Sequence, residues 1–243
     1  MKFLSVLLAA CAASTFVVPC FAASESTPDD QIIVTGSRTP ISAGDIGSAV
    51  TVITRDDIER RQSRYVADLL RSVPGFAVSH SGVVGSQTQV RVRGSEANHV
   101  LVLIDGVRAN DPATGDEFRW EYLATSSVER IEIVRGPQSA LWGSDAMGGV
   151  VHIITRSNKE SGAGGYVEGG SQNTLNGALN GTIGGDRWSA GFGVEQLTTD
   201  GSNISRTGTE DDGAEITTAS LSARFTPTDT VSIRLGVRAV DAW

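Results

Sequence analysis

Apolar and polar residues follow two different patterns along this chain. Up to about residue 156, short β-branched runs are mixed with short helical patterns. From about residue 163 onward, apolar and polar residues alternate over segments of about ten residues. The first pattern predicts a small α+β domain, and the second predicts antiparallel strands with one apolar and one polar face.

The first pattern contains recognisable element boundaries. Residues 48–53 predict a strand, and Thr54 with Asp57 predicts a capping box that begins a helix running to Arg61. Ser63 is expected to cap a second helix that carries its apolar residues on one face and ends before Pro74-Gly75. Further strands are predicted at residues 88–93, 99–104, 131–135 and 150–155. Strands and short helices in this mixture predict a mixed sheet with few helices.

The second pattern admits two interpretations. A soluble antiparallel sheet with one wet face gives the same alternation as a transmembrane barrel. The connections at 184–187 and 227–229 are tight, whereas the connection at about 200–214 is long. Short and long connections that alternate are typical of a barrel with periplasmic turns and external loops. The polar faces also carry charge (Glu195, Arg224 and Arg238), which suits a wet or filled lumen.

The first 22 residues predict an export signal. Lys2 precedes an apolar run from Phe3 to Val18, Pro19 ends the run, and Cys20-Phe21-Ala22 offers small residues for cleavage before Ala23. A membrane anchor is the alternative, but the run is short for a span. Both cysteines, Cys11 and Cys20, fall inside this segment, so no disulfide is expected in the mature chain. The polar residues 23–30 predict a disordered leader.

Charge and motifs exclude several functions. The net charge is −8, and only two lysines occur, so we expect no nucleic acid as a partner. The chain contains no GxSxG, Walker, HExxH or CxxC motif, and its three histidines are scattered among strand-like runs. We therefore expect no catalysis and no required cofactor.

Four stretches together carry a family resemblance. They are the run 128–155 (VERIEIVRGPQSALWGSDAMGGVVHIIT), the pair Arg93-Gly94, the run 103–108 (LIDGVR) and the heptad 30–36. On these residues the chain resembles TonB-dependent outer-membrane receptors over about residues 30–240. The resemblance implies an α+β plug domain at 37–156 and the start of a transmembrane β-barrel at 163–243, about five strands of it. Because such barrels have about 22 strands, the chain is expected to be the N-terminal part of a longer receptor.

The heptad near the predicted mature N-terminus has a specific meaning in that family. From its residues alone it reads as the first strand of the domain, or as a strand offered to a partner sheet. The resemblance implies that it is a TonB box, which binds TonB and, through it, the inner-membrane energising complex. The heptad consists of Asp30, Gln31, Ile32, Ile33, Val34, Thr35 and Gly36.

The resemblance also suggests a substrate. Residues 143–150 and the heptad look most like the cobalamin receptors, so the predicted function is energy-coupled uptake of cobalamin through the outer membrane. A ferric-siderophore receptor of the same family is the alternative. A soluble periplasmic β-rich binding module is the alternative from another class.

Family position implies three sets of site residues, and ordinary solvated residues are the alternative for each. The apical residues Gln87, Thr88, Asn110 and Asp111 are expected to contact substrate. Arg93 and Arg135 are expected to pair with carboxylates of the barrel wall, since an unpaired buried charge is costly. Asp200, Asp211 and Asp212, in the loop 200–214, are expected to bind calcium, which prefers hard oxygen ligands.

Overall fold

The structure of the chain is a computed structural model that describes residues 32–33, 35, 41–42, 47–156 and 161–243. Its strands are β1 (Ile32–Ile33), β2 (Ile41–Ser42), β3 (Ala49–Ile53), β4 (Phe76–His80), β5 (Thr88–Val92), β6 (Val100–Ile104), β7 (Val107–Arg108), β8 (Val128–Arg135), β9 (Gly149–Thr155), β10 (Gly162–Gly169), β11 (Leu175–Gly184), β12 (Trp188–Thr199), β13 (Ala214–Thr228) and β14 (Val231–Ala242). Its helices are α1 (Arg55–Arg61), α2 (Val66–Leu70) and α3 (Ser139–Trp142), with 3-10 turns at Ala97–His99, Pro112–Thr114, Trp120–Tyr122 and Ser144–Ala146. The predicted export signal and leader lie outside the described residues.

The predicted mixed domain is confirmed. A five-stranded sheet in the order β3-β8-β9-β6-β7 forms its centre, and β4 and β5 form a separate antiparallel pair. Within the central sheet β6 and β9 run parallel, and the other neighbours are antiparallel. The run 128–155 supplies the antiparallel neighbours β8 and β9 at the middle of this sheet. The sheet is therefore organised around that stretch.

The helices of this domain are short. Thr54 and Asp57 form the predicted capping box at the start of α1. Ser63, in contrast, does not cap α2: Tyr65 holds that position without a side-chain hydrogen bond. The carbonyl oxygen of Ser63 instead accepts a hydrogen bond from the Thr125 hydroxyl. In the part of the chain that the structure describes, no helix is long and apolar enough to cross a membrane.

The central sheet buries both of its faces, but differently. One face carries Ile131, Ile133, Val151 and Ile153 into the main core, where α1 and α2 also bury their apolar residues. The other face carries a smaller cluster, to which Trp142 is added from α3. That cluster consists of Leu101, Leu103, Ala146 and Val150. The smaller cluster leaves part of the second face to polar residues.

The strands β10 to β14 form one antiparallel sheet in sequence order, as predicted. Its apolar side chains point away from the rest of the chain: Leu179, Phe192 and Leu235 are 56%, 46% and 59% exposed. Its polar side chains lie on the inner face, where Asn176, Asn180, Ser189, Glu195 and Thr218 are buried. This distribution is the reverse of a sheet in a soluble sandwich, in which the apolar face is the covered one.

Small residues let the mixed domain sit directly on the inner face. The Ser222 hydroxyl donates a hydrogen bond of 2.9 Å to the carbonyl oxygen of Arg156. A Cβ added at Gly191 would overlap that same carbonyl, and a Cβ at Gly193 would lie 3.2 Å from the Cβ of Ser127. The close approach of backbone to backbone at this point therefore requires glycine.

This contact gives a test of the seat. Gly191→Ala is expected to displace the mixed domain from the inner face and to destabilise the folded protein by about 1–3 kcal/mol, the usual cost of overpacking. Thermal unfolding in detergent and limited proteolysis of residues 47–156 measure the effect. Gly236→Ala on β14 is the matched control, because nothing lies within 4 Å of its Cβ position. Equal behaviour of the two variants would contradict the seat.

Candidate functional site

Glu132 lies in the middle of an otherwise apolar part of β8. Its neighbours Ile131 and Ile133 belong to the main core, so the alternation along the strand turns Glu132 to the second face. There it is fully buried, and His152 lies directly opposite on β9 and is also buried. A buried carboxylate is costly unless it is hydrogen-bonded or paired. Its partners therefore define what this part of the domain holds.

The N-terminal segment supplies one of these partners, Thr35. Its side chain is completely buried. Its backbone N–H and its hydroxyl both donate to Glu132 Oε2, at 3.2 and 2.6 Å. The indole Nε1 of Trp142 donates to the Thr35 carbonyl oxygen at 3.0 Å. We call Glu132, His152 and Trp142 the Thr35 socket.

The hydrogen-bond order in the socket follows from its geometry. The Thr35 hydroxyl lies 3.1 Å from His152 Nδ1 as well as 2.6 Å from Glu132 Oε2. Because its single proton goes to the carboxylate, the hydroxyl oxygen accepts from His152, which we assign as protonated at Nδ1. The hydroxyl thus stands between the two side chains, whose own atoms Nδ1 and Oε2 are 3.8 Å apart. His152 Nε2 has no hydrogen-bond partner among the described residues, which fits a neutral imidazole.

Glu132 is held in its ionised form. Burial alone would raise its pKa, but hydrogen bonds from His152 and Thr35 and the charge of Arg130 together lower the pKa to about 2. Arg130 donates to the other carboxylate oxygen, Oε1, from Nε at 3.0 Å and Nη2 at 2.9 Å. The two oxygens thus have separate donors. The carboxylate is charged at neutral pH because these donors outweigh its desolvation.

Trp142 is positioned by the turn that follows β8. The chain leaves the strand at Gly136-Pro137, forms α3 at Ser139–Trp142 and passes through the turn Ser144–Ala146 before it enters β9. The indole ring packs on the smaller apolar cluster, against side chains of β6 and β9. The Nε1–H group is then left at the edge of that cluster, where Thr35 lies.

The segment before Thr35 is also held by backbone pairing. Ile32 and Ile33 form β1 and pair antiparallel with Ser42 and Ile41 of β2. Ile32, Ile33 and Thr35 are the heptad residues that the structure describes, and each is engaged within the chain. The predictions for Asp30, Gln31, Val34 and Gly36 lie outside the described residues.

The predicted apical residues have different surroundings. Gln87 is exposed, whereas Thr88 is buried and its hydroxyl lies 2.7 Å from His80 Nδ1. Asn110 is buried as well, with its amide bonded to backbone groups of Val100, Val102 and Asp116. Asp111 caps the turn at 112–114 by accepting from the backbone N–H of Ala113. In this arrangement Asn110 and Thr88 hold the loops in shape, and substrate contact stays a prediction that suits Gln87 best.

The predicted plug–wall arginines bond to the mixed domain itself. Arg135 donates to the Pro74 carbonyl at 3.1 Å and to the Thr51 hydroxyl at 3.2 Å. Arg93 has a positive φ of 52° and lies beside Gly75 and Gly136. No ion pair joins either arginine to a carboxylate among the described residues. Their pairing with a barrel wall stays a prediction.

Other residues, which the sequence did not single out, connect the mixed domain to the antiparallel sheet. Arg64 forms an ion pair of 2.7 Å with Glu168 on β10. Arg156 donates to the Asn180 side chain on β11, and Arg238 on β14 donates to the Tyr122 carbonyl. The sequence signal for these contacts was weak, because a lone arginine in a loop is usually solvated.

The predicted calcium ligands are not gathered. Asp200 accepts a hydrogen bond of 2.5 Å from the Asn173 side chain, and Asp212 accepts one of 2.8 Å from the backbone of Ile204. In the described parts of the chain, no three His, Cys, Asp or Glu side chains lie together as a metal site would require. The donor chemistry suits calcium, but the loop 200–214 would have to rearrange to form the site.

Comparison with known families gives one match. A family described as "TonB-dependent Receptor Plug Domain" matches residues 42–150. This range contains β3 to β8, the Thr35 socket residues Glu132 and Trp142, and the start of β9.

Solved structures share the fold over most of the chain. The siderophore receptor PiuA from Acinetobacter baumannii is 24% identical with a TM-score of 0.64, over 89% of this chain and 30% of that one. The ferric yersiniabactin uptake receptor FyuA from Yersinia pestis is 24% identical with a TM-score of 0.60, over 80% and 31%. The ferripyoverdine receptor of the Pseudomonas aeruginosa outer membrane is 14% identical with a TM-score of 0.70, over 87% and 27%. At these identities the likeness shows the fold, and the chain spans about a third or less of the proteins it matches.

The buried carboxylate predicts a pH dependence. Because the pKa of Glu132 is lowered from 4.5 to about 2, its contribution to stability is complete above about pH 4.5 and is lost as the pH falls towards 2. Glu132→Gln is expected to destabilise the fold by about 1–3 kcal/mol at pH 7, because it weakens charged hydrogen bonds. The difference in melting temperature between wild type and variant, measured from pH 7 to pH 3, should shrink as the pH falls. A difference that stays constant over this range would contradict an ionised Glu132.

Proposed function

Residues 42–150 of this chain are a TonB-dependent receptor plug domain, and on that premise we propose that the protein is a receptor for energy-coupled uptake across an outer membrane. One observation carries the proposal beyond the plug. The antiparallel sheet turns its polar face to the plug and leaves a continuous apolar face uncovered. Lipid is the environment in which such a sheet is stable, because it satisfies the outer face while the plug satisfies the inner one.

A soluble periplasmic binding module is the competing function. It would need another protein layer over the apolar side chains of β11 to β14, since contiguous exposed apolar patches are rare in soluble monomers. The two functions differ in extraction: the receptor requires detergent, and the module is released without it.

The ligand is best proposed as a ferric siderophore. The printed names of the structural neighbours, among them PiuA and FyuA, favour this class over cobalamin. The residue pattern at 143–150 and at 30–36 favours cobalamin, which is therefore the second candidate. In either case the predicted partner at residues 30–36 is TonB, to which the heptad would add a strand.

Uptake by a deletion strain tests this function. We expect the intact gene to restore growth on a ferric siderophore as sole iron source, and to leave cobalamin-dependent growth unchanged. The opposite result would assign cobalamin, and restoration of neither would contradict an uptake receptor for these ligands.

The heptad can be tested in the same strain. Val34→Pro is expected to abolish uptake while ligand binding at the cell surface persists, because proline removes a backbone donor and blocks strand pairing. Ser26→Pro in the leader is the matched control and should leave uptake intact. Loss of uptake in both variants, or in neither, would contradict coupling through residues 30–36.

Calcium binding by the loop 200–214 is kept as part of this proposal. Calorimetric titration of the intact receptor with calcium is expected to give a binding isotherm that Asp211→Asn weakens. Asp229→Asn, in the tight turn between β13 and β14, is the control and should not change the isotherm. Absence of any heat of binding would contradict the site.

A further inference from the structure

We propose that Glu132, His152 and Trp142 form an internal binding site for one β-hydroxy residue, and that this site competes with TonB for residues 30–36. The competition rests on the proposed function, because it names TonB as the second binder. The site itself rests on the contacts of Thr35 alone.

The socket binds three separate groups of Thr35. Glu132 accepts from the backbone N–H and from the hydroxyl, and Trp142 donates to the carbonyl oxygen. An extended peptide that offers these three groups in one residue is recognised by its backbone and by its side chain together. Thr35 is thus bound as a ligand is bound, in a completely buried site.

The site selects for a hydroxyl. Valine has the shape of threonine, but in the socket it would remove one acceptor for His152 Nδ1 and one donor for Glu132 Oε2. Buried polar groups that lose their partners are the main source of such discrimination. Serine keeps the hydroxyl and should be accepted.

Occupation of the socket excludes a partner strand. A strand of TonB would need the backbone groups of the heptad, and in this structure Thr35 N–H and C=O are used by Glu132 and Trp142. Ile32 and Ile33 are paired with β2 at the same time. The segment cannot keep these bonds and pair with a second chain along the same residues.

His152 lets the socket empty without leaving a bare charge. Its Nδ1 is 3.8 Å from Glu132 Oε2, and only the Thr35 hydroxyl is placed between them. When the hydroxyl leaves, a small movement brings Nδ1–H onto the carboxylate, while Arg130 stays bonded to the other oxygen. The cost of release is lowered because the buried Glu132 keeps a donor on each oxygen.

The test measures access to the segment without using TonB. A single cysteine is placed by Gly36→Cys in the protein purified from outer membranes, since the only native cysteines, Cys11 and Cys20, precede residue 23. Its rate of reaction with a maleimide is compared in four backgrounds. Trp142→Phe, Glu132→Gln and Thr35→Val are each expected to raise the rate about tenfold, the factor for loss of roughly one charged hydrogen bond. Thr35→Ser is expected to leave the rate near that of the wild type.

Glu129→Gln is the matched control. It changes a carboxylate on the same strand, whose ion pair is with Arg156 and not with the N-terminal segment, and it should not alter labelling. If Glu132→Gln fails to fold, Trp142→Phe and Thr35→Val decide, because each removes a single group at the rim or in the ligand. Equal labelling rates in all variants would overturn the socket.

A second measurement separates the socket from the proposed function. Trp142→Phe and Glu132→Gln leave residues 30–36 unchanged, so they are expected to bind the purified C-terminal domain of TonB several-fold more tightly than wild type does. Faster labelling without any TonB binding would overturn the competition and the proposed function while the binding site stands. Unchanged labelling together with TonB binding would overturn the socket and leave the proposed function intact.

Discussion

The structure depends on keeping an ionised carboxylate inside a β-sheet. Glu132 is fully buried at the centre of the central sheet, where desolvation opposes its charge. Three elements distant in sequence meet that charge: Arg130 on the same strand, His152 on the neighbouring strand and Thr35 from the N-terminal segment. An isolated charge in this position would unfold the sheet or lose its proton balance. The carboxylate therefore ties the N-terminal segment to the second face of the domain.

The second constraint is the inverted antiparallel sheet. Its apolar residues face outward, and its polar residues face a domain that sits on glycines and small side chains. The plug seat at Gly191 and Gly193 involves backbone approach rather than a large apolar interface. Polar contacts such as Arg64 with Glu168 surround that seat. A plug held in this way can be fixed against the wall and still present its N-terminal segment to a partner, which is what an energy-coupled receptor needs.

Much of the fold could be predicted because local patterns determine it. The capping box at Thr54 and Asp57 and the alternation of β11 to β14 depend on residues close in sequence, and both are confirmed. The boundary errors have local causes as well: Ser63 lies before an extended Tyr65 and cannot cap α2, and His99 falls in a 3-10 turn before β6. The hairpin of β4 and β5 was missed at β4, because Phe76–His80 is short and half exposed and gives a weak strand pattern.

The site divides differently between sequence and structure. The sequence by itself determined that residues 30–36 form a strand-like heptad, that 128–155 forms the middle of a sheet, and that the later strands have one apolar and one polar face. It did not distinguish Glu132 from an ordinary charge in a strand, nor Asn110 from an exposed loop amide. Only the tertiary structure decided these roles, because burial and hydrogen-bond partners arise from residues about 100 positions apart, such as Thr35 and Glu132. Local patterns set which face a side chain points to, but the packing of distant segments sets what it meets there.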